Sequence, residues 1–346
     1  MTRENGAAAL YDQFAERQTL AKIAIGFVVA GVLVYLLGYV VGWRSVGQAL
    51  AGANGRWLVI ACASTLVGLV AWSKAWQVVL GVVGIHVTFR RLIVTYFAAT
   101  FANYVTPFGQ AGGEPFIAYV LSQDTDASFE DSLASVVTAD LLNLLPFFNF
   151  AAIGLAVLLL RARLPDVIRP LAFGLTAIAV AVPAIAYVGW NHRQGVENAV
   201  LRLLAPIVGR TKRFSVDGIR HRIDRFYESL ELIAADPRNL LYALVFSYTG
   251  WVFFALPLYL ASLTLNLPID PLLILFIVPA STIAGLVPTP GGLAGVEATL
   301  VALLLALVPP LTGGEAFAIA TVYRIASYWF ALGVGGLASF YVIARA

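Results

Sequence analysis

Two nine-residue segments of this chain repeat one another inside long apolar sequence. They span residues 106–114 and 289–297, 183 residues apart, and six positions are identical: Thr, Pro, Gly, Ala, Gly and Glu. About one match would be expected by chance, so the pair indicates an internal repeat. Each copy places helix breakers and one carboxylate in the middle of an apolar run. A fold for this chain must therefore accommodate two broken, acidic segments.

The composition predicts an all-α polytopic membrane protein. Hydrophobic residues make up 60% of the 346 positions and charged residues 12%, against about 45–50% and about 25% in soluble proteins. The first apolar run, residues 23–41, is long enough to cross a membrane and is interpreted as a retained helix. Cys62 is the single cysteine, which excludes a disulfide within the chain and a cysteine-based metal site. Because hydrolase, zinc-protease and P-loop motifs are absent, we predict a non-enzyme without metal or cofactor.

The apolar runs predict full spans and two interrupted segments. The six predicted spans lie at about 22–41, 57–82, 132–160, 171–190, 239–262 and 316–343. Each half of segments 92–122 and 272–309 is shorter than the ~20 residues that a crossing needs. We therefore predict two re-entrant helical hairpins, bent at 106–113 and 287–295. Non-helical backbone is not tolerated against lipid, so each bend must be buried in protein or line a watery cavity.

These elements predict one membrane domain over residues 1–346, built around two repeats. Its predicted parts are an N-terminal segment with span 1 (1–56), repeat 1 (57–160), span 4 (161–190), a basic segment (191–238) and repeat 2 (239–346). Within the basic segment, apolar residues at helical spacing predict an amphipathic surface helix that meets anionic lipid head groups. Nucleic-acid binding is not expected, because this segment lacks an independent fold. Asp236 and Pro237 predict a helix start there.

The positive-inside rule places the basic segment in the cytoplasm. Counting spans from it puts both termini in the cytoplasm of a multi-pass protein of the cell membrane, and it makes the two hairpins enter from opposite faces. The repeats then have inverted topology. Inverted repeats with paired interrupted helices are typical of transporters, and the interruptions point to the binding site.

Glu114 and Glu297 are the leading candidate site residues. A carboxylate at membrane depth costs about 2.5–3.5 kcal/mol or more, so it is normally paired, hydrated or protonated. Both glutamates follow a glycine-rich bend, near the first turn of the returning half-helix, where the helix dipole favours a negative charge. Two roles stay open: the pair binds a proton, a cation or a cationic head group, or each carboxylate only caps its half-helix.

The residues around the glutamates offer further contacts. Backbone N–H groups at the glycine-rich bends suit a phosphate, although small residues also serve tight helix packing in membranes. Asp140 and Arg324 occupy nearly equivalent repeat positions, and either they form an ion pair or each pairs with a hairpin glutamate. The remaining candidate binding residues are Asn103, Thr106, Pro107, Gly109, Gln110, Gly112, Gly113, Thr289, Pro290, Gly292 and Gly295.

Three segments resemble the flippase-like family typified by the transmembrane region of lysylphosphatidylglycerol synthases. They are residues 103–119 with their Thr-Pro-x-Gly-x-x-Gly-Gly-Glu-Pro core, residues 287–297, and Tyr323-Arg324 in the last span. The resemblance covers nearly the whole chain and implies movement of a lipid, or a lipid-linked head group, between leaflets. Relatives often carry Glu-Arg and then Asp in the helix after the first hairpin. This chain has Thr138-Ala139-Asp140, so its charge network differs there.

The expected function is therefore a lipid flippase that works by alternating access between the two halves. The transported lipid would occupy the core, and Glu114 and Glu297 would converge on one site at the midplane. Two alternatives stay open: a membrane subunit or partner of a lipid-modifying transferase, and a scaffold without turnover. The sequence does not indicate which lipid is moved, in which direction, or in which oligomeric state.

Overall fold

The structure is a computed structural model of the chain. It describes residues 17–106, 114, 117–122, 125, 127–161, 169–195, 198 and 216–343. Secondary structure within these ranges consists of helices and the turns between them. The predicted all-α class is confirmed.

The long α-helices set the architecture, and short helical turns join some of them. In chain order the α-helices are α1 (Arg17–Val41), α2 (Trp43–Ala51), α3 (Gly55–Val82), α4 (Phe89–Val105), α5 (Phe129–Arg161), α6 (Arg169–Asn191), α7 (Val216–Ala235), α8 (Pro237–Thr264), α9 (Pro271–Ile283), α10 (Gly295–Leu307), α11 (Gly313–Arg324) and α12 (Phe330–Ile343). Residues 117–122 are also helical. A π-helical turn, Ile325–Trp329, joins α11 to α12.

Six helical segments within the described ranges are long and apolar enough to cross a membrane. They are Ile23–Val41, Gly55–Val82, Asp131–Leu160, Pro237–Thr264, Pro290–Leu307 and Gly313–Val342. Five of them match predicted spans within three residues. The predicted fourth span is present as α6, outside this set, and Pro290–Leu307 belongs to the second predicted hairpin. Its regular helix, α10, has 13 residues and reaches only about 20 Å, against a hydrocarbon core of ~30 Å.

Helices α3 and α8 form the central pair and run antiparallel. The Asn54 backbone N–H, just before α3, donates to the carbonyl oxygen of Thr264 at the end of α8, at 2.7 Å. Further along α3, Ser64 Oγ donates to the Phe253 carbonyl oxygen at 2.7 Å. As the numbering rises along one helix it falls along the other, so the pair is antiparallel over its length.

The helix boundaries of the first half recur in the second. Helices α3 and α8 both have 28 residues and begin 182 residues apart. Helices α4 and α9 also begin 182 residues apart. Gly68 and Gly250, again separated by 182, face each other: a Cβ added to Gly68 would lie 3.2 Å from the Gly250 carbonyl oxygen. The repeat that the sequence indicates in two short motifs therefore extends to the surrounding helices.

Contacts outside the central pair follow the same repeat. Helix α12 packs on α4, and α5 packs on α9, the α4 counterpart. Both contacts bring a glycine onto a neighbouring backbone. A Cβ on Gly335 would lie 2.6 Å from the Phe97 carbonyl oxygen, and one on Gly154 would lie 2.4 Å from the Phe276 nitrogen. Exchanging the halves thus maps one contact approximately onto the other.

The amphipathic helix predicted in the basic segment is present as α7, which packs on α5. Tyr227 and Ile233 are buried, and Arg225 Nη1 lies 3.0 Å from Asp131 Oδ1 at the start of α5. The predicted start of the next helix is confirmed, because Asp236 Oδ1 accepts from the Asn239 backbone N–H at 3.1 Å. This hydrogen bond, together with one from the Asn239 side chain, lowers the pKa of the exposed Asp236 carboxyl.

The close contact between α4 and α12 predicts a large effect of a single methyl group. Gly335→Ala should lower the free energy of unfolding by about 1–3 kcal/mol, because backbone atoms in tight contact have to move apart. Gly333→Ala is the matched control in the same helix, since a Cβ there meets nothing within 4 Å. It should be neutral or stabilising by up to about 1 kcal/mol. Denaturation by SDS titration in detergent micelles measures both, and equal stabilities would contradict the predicted packing.

Candidate functional site

The second motif forms a compact bend between two short helices that contact each other. Asp270 caps α9, its Oδ1 accepting from the Leu272 backbone N–H at 2.9 Å. The bend extends from the end of α9 to the start of α10 and contains two 3₁₀ turns, Ala284–Leu286 and Pro290–Gly292. It starts slightly earlier than the predicted 287–295, and a helix–bend–helix unit is present at the predicted position.

Glycine is required at several positions of this bend. Gly291 and Gly292 have φ values of 56° and 65°, which side-chain-bearing residues rarely adopt. A Cβ on Gly291 would lie 2.0 Å from the Tyr328 ring, and one on Gly292 would lie 2.4 Å from Gly285 Cα. One on Gly295 would lie 2.8 Å from the preceding turn. These glycines therefore have a packing role, one of the two roles that the sequence leaves open.

Glu297 and Arg324 form a buried ion pair at this bend. Arg324 Nε donates to Glu297 Oε1 at 2.7 Å, and the two side chains are only 10% and 5% exposed, in that order. Arg324 Nη2 also donates to the Gly291 carbonyl oxygen at 3.0 Å. The predicted carboxylate thus lies in the first turn of α10. Of the open pairings for Arg324, the structure has the one with the hairpin glutamate and not with Asp140.

Two tyrosines connect this ion pair to the first half of the chain. The Arg324 guanidinium lies 4.3 Å from the centroid of the Tyr328 ring, within cation–π range. The Tyr328 hydroxyl donates to the Tyr104 carbonyl oxygen at 3.1 Å, and the two rings are 4.9 Å apart. Tyr104 precedes the first motif by two residues. Tyr328 and Tyr104 were missed by the sequence reasoning, although Tyr328 follows Arg324 by one helical turn.

Other predicted residues of the second motif contribute to the bend itself. Thr289 Oγ1 donates to the Leu293 carbonyl oxygen at 2.8 Å and closes the turn. Pro290 is buried against α1, where a Cβ on Gly26 would lie 3.0 Å from the proline ring. Within the described ranges, no cluster of three or more His, Cys, Asp or Glu side chains has the arrangement of a metal site.

The first motif is described only at its borders. Helix α4 ends at Val105, and Thr106 Oγ1 donates to the Ala102 carbonyl oxygen at 2.9 Å. Asn103, also a predicted site residue, is half-buried in the last turn of α4. Five further predicted residues lie outside the described residues: Pro107, Gly109, Gln110, Gly112 and Gly113.

Glu114 contacts Asp140, the residue of α5 at the repeat position of Arg324. The two carboxyl groups lie within hydrogen-bonding reach of each other, and Trp76 Nε1 donates to Asp140 Oδ1 at 3.1 Å. A hydrogen bond between two carboxyl groups requires a proton on one of them. In each half, then, the hairpin glutamate meets an ionisable side chain of the next long helix, a cation in one half and an acid in the other.

Helix α4 contacts both glutamate clusters. Near its middle, the Tyr96 ring lies 5.0 Å from the ring of Trp76, which binds Asp140. At its end, Tyr104 contacts Tyr328 beside Arg324. Each glutamate is paired within its own half of the chain, and α4 is the element that the two clusters share. Convergence of Glu114 and Glu297 on one midplane site stays a prediction.

The fold and these clusters define a polytopic α-helical membrane protein with ionisable residues buried at an interrupted helix. The chain belongs to the family of the lysylphosphatidylglycerol synthase transmembrane region, whose family model matches residues 23–335. It is 28% identical to a UPF0104 membrane protein of Methanothermobacter thermautotrophicus over 94% of each chain. A second protein of that name and organism is 25% identical over 92% of this chain and 96% of its own. One of Pyrococcus horikoshii is 24% identical over 90% and 94%.

Proposed function

We propose that this protein moves a phospholipid, or a lipid-linked head group, between the leaflets of the cell membrane. The observation that carries the proposal is the buried Glu297–Arg324 pair at the break between α9 and α10. Ionisable side chains inside the membrane mark substrate or ion pathways, and interrupted helices in repeated halves are where transporters bind their substrates. Family membership agrees with a lipid-related role.

The energetics of the ion pair favour a functional role over a purely structural one. Desolvating two charges costs several kcal/mol for each ion, and a well-packed apolar pair of similar volume is often as stable or more stable. A structural cap for α10 would need only a small polar side chain. The chain instead buries a full carboxylate–guanidinium pair beside a bend in which glycines permit close packing.

The antiparallel arrangement of equivalent helices supports alternating access by inverted halves. Helices α3 and α8 are repeat counterparts and run in opposite directions. If both cross the membrane, the axis that exchanges the halves lies in the membrane plane, and the two hairpins enter from opposite faces. Rocking of one half against the other would then expose the same site to each leaflet in turn.

Labelling of single cysteines tests this inverted arrangement. In a Cys62→Ser background, Ser128→Cys reports on the start of α5 and Thr312→Cys on the start of α11. An impermeant maleimide should label Thr312→Cys from outside intact cells and Ser128→Cys only after permeabilisation, because the proposal places α7 and both termini in the cytoplasm. Ala53→Cys is the control: Asn54 contacts Thr264, so it should label with Thr312→Cys. Labelling of positions 128 and 312 from one side would contradict inverted halves.

Reconstitution in liposomes tests the transport itself. Vesicles with asymmetrically placed fluorescent phospholipids should lose their asymmetry faster with the protein than with empty membranes. Glu297→Gln and Glu114→Gln should each slow movement by about tenfold or more, since each removes a carboxylate contact at a proposed site. Glu315→Gln is the matched control, because Glu315 is also the third residue of its helix, is not buried and lies in a capping box that glutamine can complete. Failure of the wild-type protein to move any lipid under any imposed gradient would overturn the proposal.

A further inference from the structure

We propose that the Glu297 site selects head groups that carry a hydrogen-bond donor, an ammonium N–H or a hydroxyl. The free oxygen of the buried Glu297 carboxylate is the acceptor for that donor. The inference deepens the proposed function for its transport arm, whereas its binding arm stands independently of transport.

Glu297 has one oxygen in use and one without a partner. Oε1 accepts from Arg324 Nε, but no donor among the described residues lies within hydrogen-bonding distance of Oε2, which is fully buried. The residue as a whole is 4% exposed. A buried acceptor without a partner costs about 1–3 kcal/mol, and more when it is charged. An arriving donor would recover that cost.

The same site has limited capacity for a further negative charge. Arg324 already uses Nε for the carboxylate and Nη2 for the Gly291 carbonyl oxygen, and its charge is balanced by Glu297. The pair is therefore neutral overall and presents an open acceptor. A lone anion would meet that carboxylate oxygen. A donor on a zwitterionic or hydroxylated head group fits it, and its remaining oxygens can face the first-turn N–H groups of α10.

The position of the site matches a substrate contact better than a structural defect. Glu297 is the third residue of α10, and the ring of Tyr328 lies against both Arg324 and the Gly291 backbone. The carboxylate is thus held by contacts on one side only. Because Oε1 is fixed by Arg324, Oε2 cannot be exchanged for it without loss of the ion pair. Donor selection then follows from which of the two oxygens is free.

A head-group series that removes donors one at a time tests the inference. Short-chain phosphatidylethanolamine has three N–H donors, its mono- and dimethyl forms have two and one, and phosphatidylcholine has none at equal charge. Phosphatidylglycerol supplies hydroxyl donors. Binding of each to the full chain in detergent, followed by tryptophan fluorescence or calorimetry, should weaken about tenfold or more between the ethanolamine and choline forms, the effect of one hydrogen bond to a charged group. Transport of long-chain forms in liposomes should follow the same order.

Two variants separate this inference from alternatives. Glu297→Gln can keep an acceptor for Arg324 while presenting an amide donor in place of Oε2, so its preference for donors should fall to less than about threefold. Glu297→Asp retains a carboxylate and should keep the order, and Glu315→Gln should leave it unchanged. Equal binding of ethanolamine and choline forms by the wild-type chain would overturn the inference and leave transport intact, as if only water contacts Oε2. Selective binding without transport would overturn the proposed function instead.

Discussion

Replacement of Arg324 by glutamine is expected to lower the free energy of unfolding by about 3–5 kcal/mol. The substitution leaves the Glu297 carboxylate buried without its cation, and removing one partner of a buried ion pair has an effect of this size. It also removes the hydrogen bond from Nη2 to the Gly291 carbonyl oxygen and the cation over the Tyr328 ring. The bend should loosen with the pair. SDS titration of the purified protein in micelles measures the change.

The double variant separates the lost ion pair from other damage. Glu297→Gln combined with Arg324→Gln buries no net charge, so it should recover at least half of the loss, a coupling that independent sites do not show. Arg56→Gln is the matched control, because Arg56 is exposed in the first turn of α3. It should change stability by less than about 0.5 kcal/mol. An Arg324→Gln variant as stable as the Arg56→Gln variant would contradict the burial of the pair.

Most of the helical framework could be predicted from the sequence, because apolar run length is a strong signal. Five spans match their predicted positions within three residues, and the start of α8 follows from Asp236 and Pro237. Membranes allow few alternatives to a helix for such runs. The packing of α3 against α8 could not be predicted. It depends on small residues such as Gly68 and Gly250, and nothing in a single apolar stretch names its partner.

The candidate site could be located from the sequence but not wired. The repeated motif identifies Glu297, and the offset identifies Arg324. Several pairings fit those positions equally well, and side-chain geometry within the bend decides between them. The contribution of Tyr328 depends on the π-helical turn after Arg324, which changes the direction of the following side chains by a fraction of a turn. Helical periodicity alone cannot anticipate such a turn, since it inserts one residue into the repeat.

The difference between the two half-sites has a consequence for how the halves could work. The second half neutralises its glutamate with Arg324, so its charge is fixed within the fold. The first half joins Glu114 to Asp140, and that contact persists only while a proton is present. Equivalent positions of the repeat thus hold chemically different pairs. In the proposed mechanism, the second half is suited to contact a head group and the first half to exchange a proton, with α4 between them.

Gly291→Ala is expected to destabilise the bend by about 2–5 kcal/mol and to reduce lipid movement with it. The residue has a φ of 56°, a conformation that costs alanine about 1–2 kcal/mol. Its added Cβ would lie 2.0 Å from the Tyr328 ring, so the ring or the bend must move, at about 1–3 kcal/mol. Because Arg324 binds the Gly291 carbonyl oxygen and covers the same ring, any displacement also separates the guanidinium from Glu297.

Gly285→Ala is the matched control in the same bend. Its added Cβ would meet only a Val296 methyl group at 4.0 Å, and its φ lies outside the left-handed region. It should be neutral or stabilising by up to about 1 kcal/mol. Adding Tyr328→Ala to Gly291→Ala removes the clash but leaves the strained φ, so it should separate the two contributions. The measurements are SDS titration and the liposome assay on the same preparations. If Gly291→Ala matches Gly285→Ala in both, the ring does not lie against the bend, and the proposed link from Tyr104 through Tyr328 to the ion pair is wrong.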